Sequence, residues 1–288
     1  MLSPDAKTKF YILVGNPADH SLSPSIHNAA FAALKINSVY LACTVEESKL
    51  YAAMEGMRAL SAAGANVTSP YKEAVIPFLD SLSPEARLLQ SVNTIINRDG
   101  RLHGETTDGP GFYRSLQEAA PGYDSGKSIM VVGAGGAARA AAYATASYGA
   151  VQFSVINRTP EKGRALAKLL SETASVAKSI YLPLSREDIK KALNDCRVFI
   201  YSLPFDNNEF INAVLESKVF SEEKVLIDLR YLPARTAVMT AFEEKGGLAF
   251  NGLGMLLHQA AFSFEHFTGQ KAPLEVMLCA ATAEPASS

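Results

Sequence analysis

The sequence predicts an α/β protein made of two successive strand-and-helix series, and three observations carry that reading. Short apolar runs rich in β-branched and aromatic residues recur at 10–14, 39–44, 64–68, 128–132, 152–156, 197–203 and 224–229, each of strand length. Helix-forming stretches lie between many of them, as in units that build a parallel sheet. Between the two series sits a run of breakers, Ala119-Ala120-Pro121-Gly122-Tyr123-Asp124-Ser125-Gly126, which sets a domain boundary near it.

A chain of 288 residues with 48% hydrophobic composition supports one large core or two smaller ones. Acids and bases are interspersed and the formal charge is −2, which points away from nucleic acid and from anionic membrane surfaces. Cys43, Cys196 and Cys279 are far apart, so they predict buried thiols in a reducing cytoplasm rather than a disulfide framework. The start of the chain, 1–9, is polar and charged, unlike a secretory signal. No apolar run approaches the length of a membrane span. A small polar tail closes the chain at 283–288.

In the first series the strand over 10–14 ends at Gly15-Asn16-Pro17, and the loop His20-Ser21-Leu22-Ser23-Pro24 follows. Ser25 is placed to cap a helix over 26–34. A strand at 39–44 and a helix at 46–59 come next. The strand 64–68 emerges into Ser69-Pro70-Tyr71-Lys72, with a helix expected over 73–79. The stretch 88–96 runs into a strand, and Arg98-Asp99-Gly100 signals a hairpin whose partner is 102–107. Asp108-Gly109-Pro110-Gly111 starts a helix through 118.

The second series opens on Gly133-Ala134-Gly135-Gly136-Ala137-Ala138, a G-x-G-x-x-A turn between the strand 128–132 and a helix over 140–148. Gly133 permits the tight turn, Gly135 lets the backbone approach a pyrophosphate, and Ala138 keeps helix and sheet close. Unpaired N–H groups at the helix start then face the anion. Such a turn alone also fits a plain strand-to-helix connection. The next strand, 152–156, ends at Asn157-Arg158-Thr159, where this fold meets the adenosine ribose. No carboxylate stands there to hold a ribose diol or repel a 2′-phosphate. Arg158 can grip that phosphate with its planar fork, and Lys162 adds charge one turn on, so the pattern predicts NADP rather than NAD. Thr159 followed by Pro160 reads as a helix cap. Strands at 197–203, 224–229 and 247–250 complete the series, and a helix over 252–267 packs back on the first lobe. Two α/β lobes with a cleft between them are a small-ligand arrangement.

A dinucleotide exchanges hydride, so the protein must supply a proton partner and hold the substrate. Lys72, after a strand and a proline, suits proton exchange with an alcohol or ketone. Asp108, at a strand end and helix start, suits orienting both partners; alone each also reads as a surface lysine and a cap aspartate. Ser21 and Ser23 point the same way in an extended loop and suit a carboxylate. Thr68, Asn93 and Gln259 are amide or hydroxyl groups suited to a polyol, and Tyr231 follows Asp228-Leu229-Arg230 at a strand end. The five histidines show no metal spacing.

Together these stretches resemble the shikimate dehydrogenase family over nearly the whole chain. The matching residues are Ser21-Leu22-Ser23-Pro24-Ser25-Ile26-His27-Asn28, Asn66-Val67-Thr68-Ser69-Pro70-Tyr71-Lys72-Glu73, Ser91-Val92-Asn93-Thr94 and Thr107-Asp108-Gly109. They continue with the glycine turn, Asn157-Arg158-Thr159 and Gly252-Leu253-Gly254-Met255-Leu256-Leu257-His258-Gln259-Ala260. The resemblance implies a substrate-binding domain over 1–118, a Rossmann-type NADP-binding domain over 119–251 and C-terminal helices over 252–288 returning to the first. It implies reversible NADP-dependent reduction of 3-dehydroshikimate to shikimate in aromatic amino-acid biosynthesis, by a monomer or homodimer. Lys72 and Asp108 match the catalytic pair, and Ser21, Ser23, Thr68, Asn93, Tyr231 and Gln259 match substrate contacts. Gly133, Ala134, Gly135, Gly136 and Ala137 match the dinucleotide turn. Asn157, Arg158, Thr159 and Lys162 match the adenosine-phosphate clasp, and Leu229 and Gly252 match positions beside the nicotinamide.

Three departures stand against the pattern. After the fourth Rossmann strand the family has Asn-Ala/Ser-Thr-Pro-x-Gly-Met, whereas this chain has Tyr201-Ser202-Leu203-Pro204-Phe205-Asp206, which bears on cofactor affinity or hydride geometry. Thr106 stands where Asn is usual, and Leu229 replaces the common Met, an apolar swap. A paralogue acting on quinate or a related cyclic hydroxy acid, and a ligand-binding protein without turnover, remain alternatives at this point.

Overall fold

A computed structural model describes residues 4–122, 128–218, 220 and 223–283. Residues 123–126 of the breaker run and 284–288 of the polar tail lie outside the described residues. The chain divides into two compact units, Met1–Thr107 with Leu257–Ser288, and Asp108–Leu256.

The first unit is built on β1 (Lys9–Gly15), α1 (Ser23–Ala33), β2 (Ser38–Thr44), α2 (Leu50–Ala59), β3 (Gly64–Val67), β4 (Ser81–Leu82), α3 (Pro84–Leu89), β5 (Thr94–Arg98) and β6 (Arg101–Glu105). Its sheet has the order β2-β1-β3-β5-β6-β4, parallel from β2 to β3 and antiparallel through the β5–β6 hairpin. Asp99 and Gly100 both take positive φ, 53° and 83°, the conformation that a tight hairpin turn requires. One core cluster joins Val14, Ala65, Val67, Ile95 and Leu102 of the strands to Met54 and Met57 of α2.

The second unit runs through α4 (Asp108–Ala119), β7 (Ser128–Val132), α5 (Gly136–Ser147), β8 (Gln152–Asn157), α6 (Pro160–Ser171), β9 (Lys178–Pro183), α7 (Arg186–Asp195), β10 (Val198–Tyr201), α8 (Asn208–Glu216), β11 (Val225–Asp228), α9 (Ala237–Glu244) and β12 (Leu248–Phe250). Its six strands are all parallel in the order β12-β11-β10-β7-β8-β9. Side-chain alternation feeds two cores: Ile129 and Val131 face one with α4, α5 and α6, while Met130 and Val132 face the other with α7, α8 and α9. Strands covered on both faces explain why β7, β10 and β11 read as unbroken apolar runs. The chain passes outward from β7 through β8 to β9, then returns to β10 on β7's other side. That reversal opens a crevice beyond the carboxyl ends of β7 and β10, where ligands bind in such sheets.

The helix α10 (Leu253–Thr268) contains the second unit boundary, and α11 (Leu274–Thr282) packs with α1 in the first unit. In that unit Phe264 and Phe267 of α10 pack on Phe31 and Tyr11, with ring centroids 5.4 and 4.8 Å apart. Among the described residues no helix is long and apolar enough to cross a membrane.

Several expectations are corrected. By contact the units divide at 107/108 and 256/257, against the 118/119 and 251/252 expected for the domains, and Phe112, Leu116 and Met255 are buried in the second unit's core. Ser25 caps nothing: α1 begins two residues earlier, with Pro24 in its first turn. The expected helix 73–79 is a series of turns with one 3-10 turn at Ile76–Phe78, where Pro77 limits helix growth. The expected helix 46–59 starts with a separate 3-10 turn, Glu47–Lys49. The stretch 88–96 is the end of α3 followed by β5. Helix α5 begins at Gly136, four residues before the expected start. Thr159 holds the cap position of α6, yet its side chain makes no capping bond.

Candidate active site

In the first unit, β3 carries a polar residue into an apolar strand. Asn66 is 5% exposed and fully engaged. Its Oδ1 accepts the Tyr40 hydroxyl at 2.8 Å, and its Nδ2 donates to the Asn93 carbonyl at 3.0 Å and to Ser263 Oγ at 3.0 Å. Next to it Asn93, 2% exposed, donates to Thr107 Oγ1 at 2.8 Å and to Gln259 Oε1 at 3.1 Å. Its Oδ1 accepts the Thr107 N–H at 2.7 Å. Asn93 and Gln259, singled out separately in the sequence, are therefore neighbours. The network also contains Asn66, Thr94, Thr107 and Ser263, to which the sequence assigns no role. The signal was available in Asn66, an amide inside a buried strand, and in Ser263, one turn along α10 from Gln259.

Lys72 is half-buried in the turn after β3, and its carbonyl accepts the Val92 N–H at 2.8 Å, one residue from Asn93. Thr68 is half-buried at the end of β3, its methyl occupying the space a side chain on Gly15 would need. Ser21 Oγ donates to Ser23 Oγ at 3.1 Å and accepts the Ser23 N–H at 3.2 Å. The two hydroxyls do converge, but through a turn into α1 rather than along an extended loop. Beneath them His27 stacks on Tyr40 at 4.4 Å and 6°. Burial pushes the His27 imidazole down to about 3, and burial raises the Tyr40 phenol well above its ordinary range. His27 is thus neutral at physiological pH, and the pair forms an uncharged floor.

In the second unit, Asp108 is 3% exposed and is the first residue of α4, a position that favours a carboxylate. Gly133 has φ +107°, and a side chain there would collide with Ser202 Oγ; both facts require glycine. Gly135 is different. Its φ of −77° suits any residue, and a Cβ there would meet no atom within 4 Å. Protein packing gives no reason for that glycine, whereas an approaching pyrophosphate does. No side chain caps α5, Ala134 is 6% exposed, and Gly136 and Ala137 form the first turn. Ala138, fully buried, lies in the core as the third small position requires.

At the end of β8, Asn157 Nδ2 donates to the Thr159 carbonyl at 2.8 Å. Arg158, Thr159 and Lys162 are exposed, and among the described residues neither Arg158 nor Lys162 forms an ion pair. At the end of β11, the Leu229 N–H donates to the Tyr201 carbonyl at 2.8 Å, and the Gly252 N–H donates to the Arg230 carbonyl at 2.8 Å. A side chain on Gly252 would collide with the Leu229 carbonyl, so the two positions are adjacent. Tyr231 is half-buried beyond them. Among the described residues no cluster of three or more His, Cys, Asp or Glu could hold a metal ion.

The open space at Gly135, the uncapped α5 and the free cationic edge after β8 fit a dinucleotide with a 2′-phosphate. Comparison with known proteins points the same way. Residues 13–95 match the model of the shikimate dehydrogenase substrate-binding domain, 116–231 that of shikimate/quinate 5-dehydrogenase, and 252–281 that of the shikimate 5′-dehydrogenase C-terminal domain. The chain is 38% identical over 278 residues to the shikimate dehydrogenase (NADP(+)) of Methanopyrus kandleri, covering 96% of each. It superposes on a shikimate dehydrogenase crystallised with NADP+ at TM-score 0.85 and 34% identity, covering 97% of this chain and 96% of that one. The Thermus thermophilus shikimate 5-dehydrogenase in complex with NADP(H) and shikimate gives TM-score 0.81 at 31% identity, covering 95% and 98%. With relatives of such identity along nearly its full length, the chain belongs to the shikimate dehydrogenase family.

Proposed function

We propose that this chain catalyses the reversible, NADP-dependent reduction of 3-dehydroshikimate to shikimate. The observation that carries the reading is the half-buried Lys72, one hydrogen-bonded residue away from the Asn93–Gln259 amide pair. A proton donor beside groups built to hold hydroxyls is what reduction of a ketone on a polyol ring needs. NADPH, when bound, supplies the hydride. The Lys72 ammonium gives its proton to the ketone oxygen as that oxygen becomes an alcohol, and the amine takes it back in the other direction.

The remaining groups bind and orient. Ser21 and Ser23 hold the substrate carboxylate through neutral hydroxyls, which avoids burying a second charge. Thr68, Asn93, Gln259, Tyr231 and the carboxylate of Asp108 hold ring hydroxyls. Gly133, Ala134, Gly135, Gly136 and Ala137 admit the pyrophosphate to the start of α5. Asn157, Arg158, Thr159 and Lys162 clasp the 2′-phosphate, with Leu229 and Gly252 beside the nicotinamide. The reading places the enzyme in a reducing cytoplasm; of the three thiols expected to be buried, Cys196 is buried, Cys43 is half-buried and Cys279 is exposed.

Purified protein given shikimate and NADP+ should generate NADPH absorbance. Lys72→Ala should lower kcat by roughly 10²–10⁴-fold, the usual share of acid–base catalysis, while calorimetry shows shikimate binding retained. Full turnover in that variant would remove Lys72 from the chemistry. Quinate in place of shikimate as the preferred substrate would reassign the ring specificity.

A further inference from the structure

The loop 201–206, where the sequence departs from its family's pattern, borders the crevice beyond β7 and β10. Val132, Tyr201 and Asp228 are paired across β7, β10 and β11, so the carboxyl ends of these strands are level. Ser202 Oγ donates to the Val132 carbonyl at 3.0 Å and stands against the Gly133 turn. The buried Tyr201 hydroxyl then closes the loop on itself, donating to the Phe205 carbonyl at 2.8 Å and accepting the Asn207 N–H at 3.0 Å.

Arg230 ties this loop to its surroundings. Its guanidinium donates to Asp206 Oδ1 at 2.8 Å on the loop and to Asp228 at the end of β11, with Nη2 2.6 Å from Oδ2 and Nε 3.0 Å from Oδ1. It also lies over the Tyr201 ring, 5.4 Å from the centroid. Burial pushes the Asp206 carboxyl up, but the Arg230 guanidinium and the nearby Ala237 and Val238 N–H groups at the start of α9 outweigh it and hold the carboxyl below its ordinary range. Asp228 is fully buried and accepts the Thr236 hydroxyl at 2.9 Å. The Arg230 carbonyl receives Gly252. One residue thus fixes loop 201–206, the Leu229–Tyr231 segment and the Gly252 turn at once, with its side chain only 15% exposed. A planar, five-donor group can bridge two carboxylates in this way, and lysine could not reproduce the geometry. Segments already ordered before a ligand arrives spare that ligand the cost of ordering them.

We propose that Arg230, through Asp206, is a positioning residue that holds loop 201–206 and the segment after β11 ready for the nicotinamide half of the dinucleotide. The proposal rests on the NADP reading above.

The test uses the full chain and calorimetry with two probes, NADP+ and adenosine 2′,5′-bisphosphate, which lacks the nicotinamide half. Asp206→Asn removes the loop's charge at a partly exposed position and leaves the buried Arg230–Asp228 pair intact. Arg230→Met is the second variant. Both should weaken NADP+ by about tenfold or more while leaving the bisphosphate within about twofold. The double variant should bind NADP+ no more weakly than Arg230→Met alone, since the two residues act as one unit. KM for NADP+ and for NAD+ should rise by the same factor. Equal loss for both probes, additive losses in the double variant, or unchanged NADP+ affinity in both single variants would overturn the proposal. A wild-type chain that binds neither probe would instead overturn the NADP reading, and this proposal with it.

Discussion

Asn66 donates to Ser263 Oγ at 3.0 Å, joining the centre of β3 to a helix 197 residues later in the chain. The bond lies inside the first unit and backs the Asn93–Gln259 pair. Asn66→Ala leaves the buried Tyr40 hydroxyl without its amide acceptor and takes one bond each from Ser263 and the Asn93 carbonyl, which keep Gln259 and Val67 as partners. Each unsatisfied group costs about 1–3 kcal/mol. The variant should lose roughly 2–4 kcal/mol in urea unfolding and raise KM for shikimate. Ser263→Ala, which removes one partner of several, should cost about 1 kcal/mol. Equal, near-zero costs for both would mean that the network holds nothing in place.

On the function proposed above, Arg158 is the residue that prefers the phosphorylated cofactor. It is exposed after β8 with Lys162 also exposed in the following helix turn. Arg158→Ala should raise KM for NADP+ by about 10–100-fold, the worth of a charged hydrogen-bonded contact. KM for NAD+ should stay within about twofold, because NAD+ has no 2′-phosphate for the residue to grip. Steady-state kinetics with both cofactors reads this directly, and equal rises would remove the assignment.

His27 makes part of the protein's stability depend on pH. Burial holds its folded pKa down at about 3, against 6.5 when exposed. The unfolded chain therefore takes up a proton as pH falls through 6.5, while the folded chain does not. Stability from this group is complete above pH 6.5 and is lost progressively toward pH 3, by about 1.4 kcal/mol per pH unit. Between pH 7.5 and 5.5, above the range where most carboxylates titrate, His27→Phe should flatten the decline in urea midpoint. An unchanged slope would show that His27 protonates in the folded protein.

Much of this architecture was legible because its signals are local. Strands β7, β10 and β11 are buried on both faces, so each is a plain apolar run. The Gly133 turn requires a positive φ, and only glycine adopts it cheaply. The cationic edge after β8 follows from what is missing at Asn157, Arg158 and Thr159. The unread features depend on distant partners. Strand β9 pairs only as an edge, with half its residues exposed and none fully buried, so it carries little pattern. Helix α4 looked like the end of the first series, but Phe112 and Leu116 find their partners across the chain in Ile129 and Phe153. The 3-10 turn at Ile76–Phe78 was read as a helix because its apolar residues mimic helical spacing. Asp206, Arg230 and Asp228 are ordinary charges in sequence, and their joint role exists only once β10 and β11 lie side by side.

Gly135 separates folding from binding more cleanly than any other residue in the dinucleotide turn. At Gly133 an added side chain would meet Ser202 and face a positive φ, so loss of binding there could follow from damage to the fold. At Gly135 the backbone sits at φ −77° and ψ 179°, and a Cβ would enter open space. Alanine is a poorer helix cap than glycine by under about 1 kcal/mol. It also reduces the freedom of the unfolded chain, which restores about 0.4–1 kcal/mol. Gly135→Ala should therefore leave the urea midpoint nearly unchanged. On the proposed reading the pyrophosphate approaches the α5 N–H groups past this residue, so calorimetry should show NADP+ affinity falling by about tenfold or more. Shikimate binding should be preserved, since none of the proposed shikimate contacts lies in the Gly133–Ala137 turn. A variant that keeps both its stability and its NADP+ affinity would show that the space beside Gly135 serves some purpose other than the phosphates.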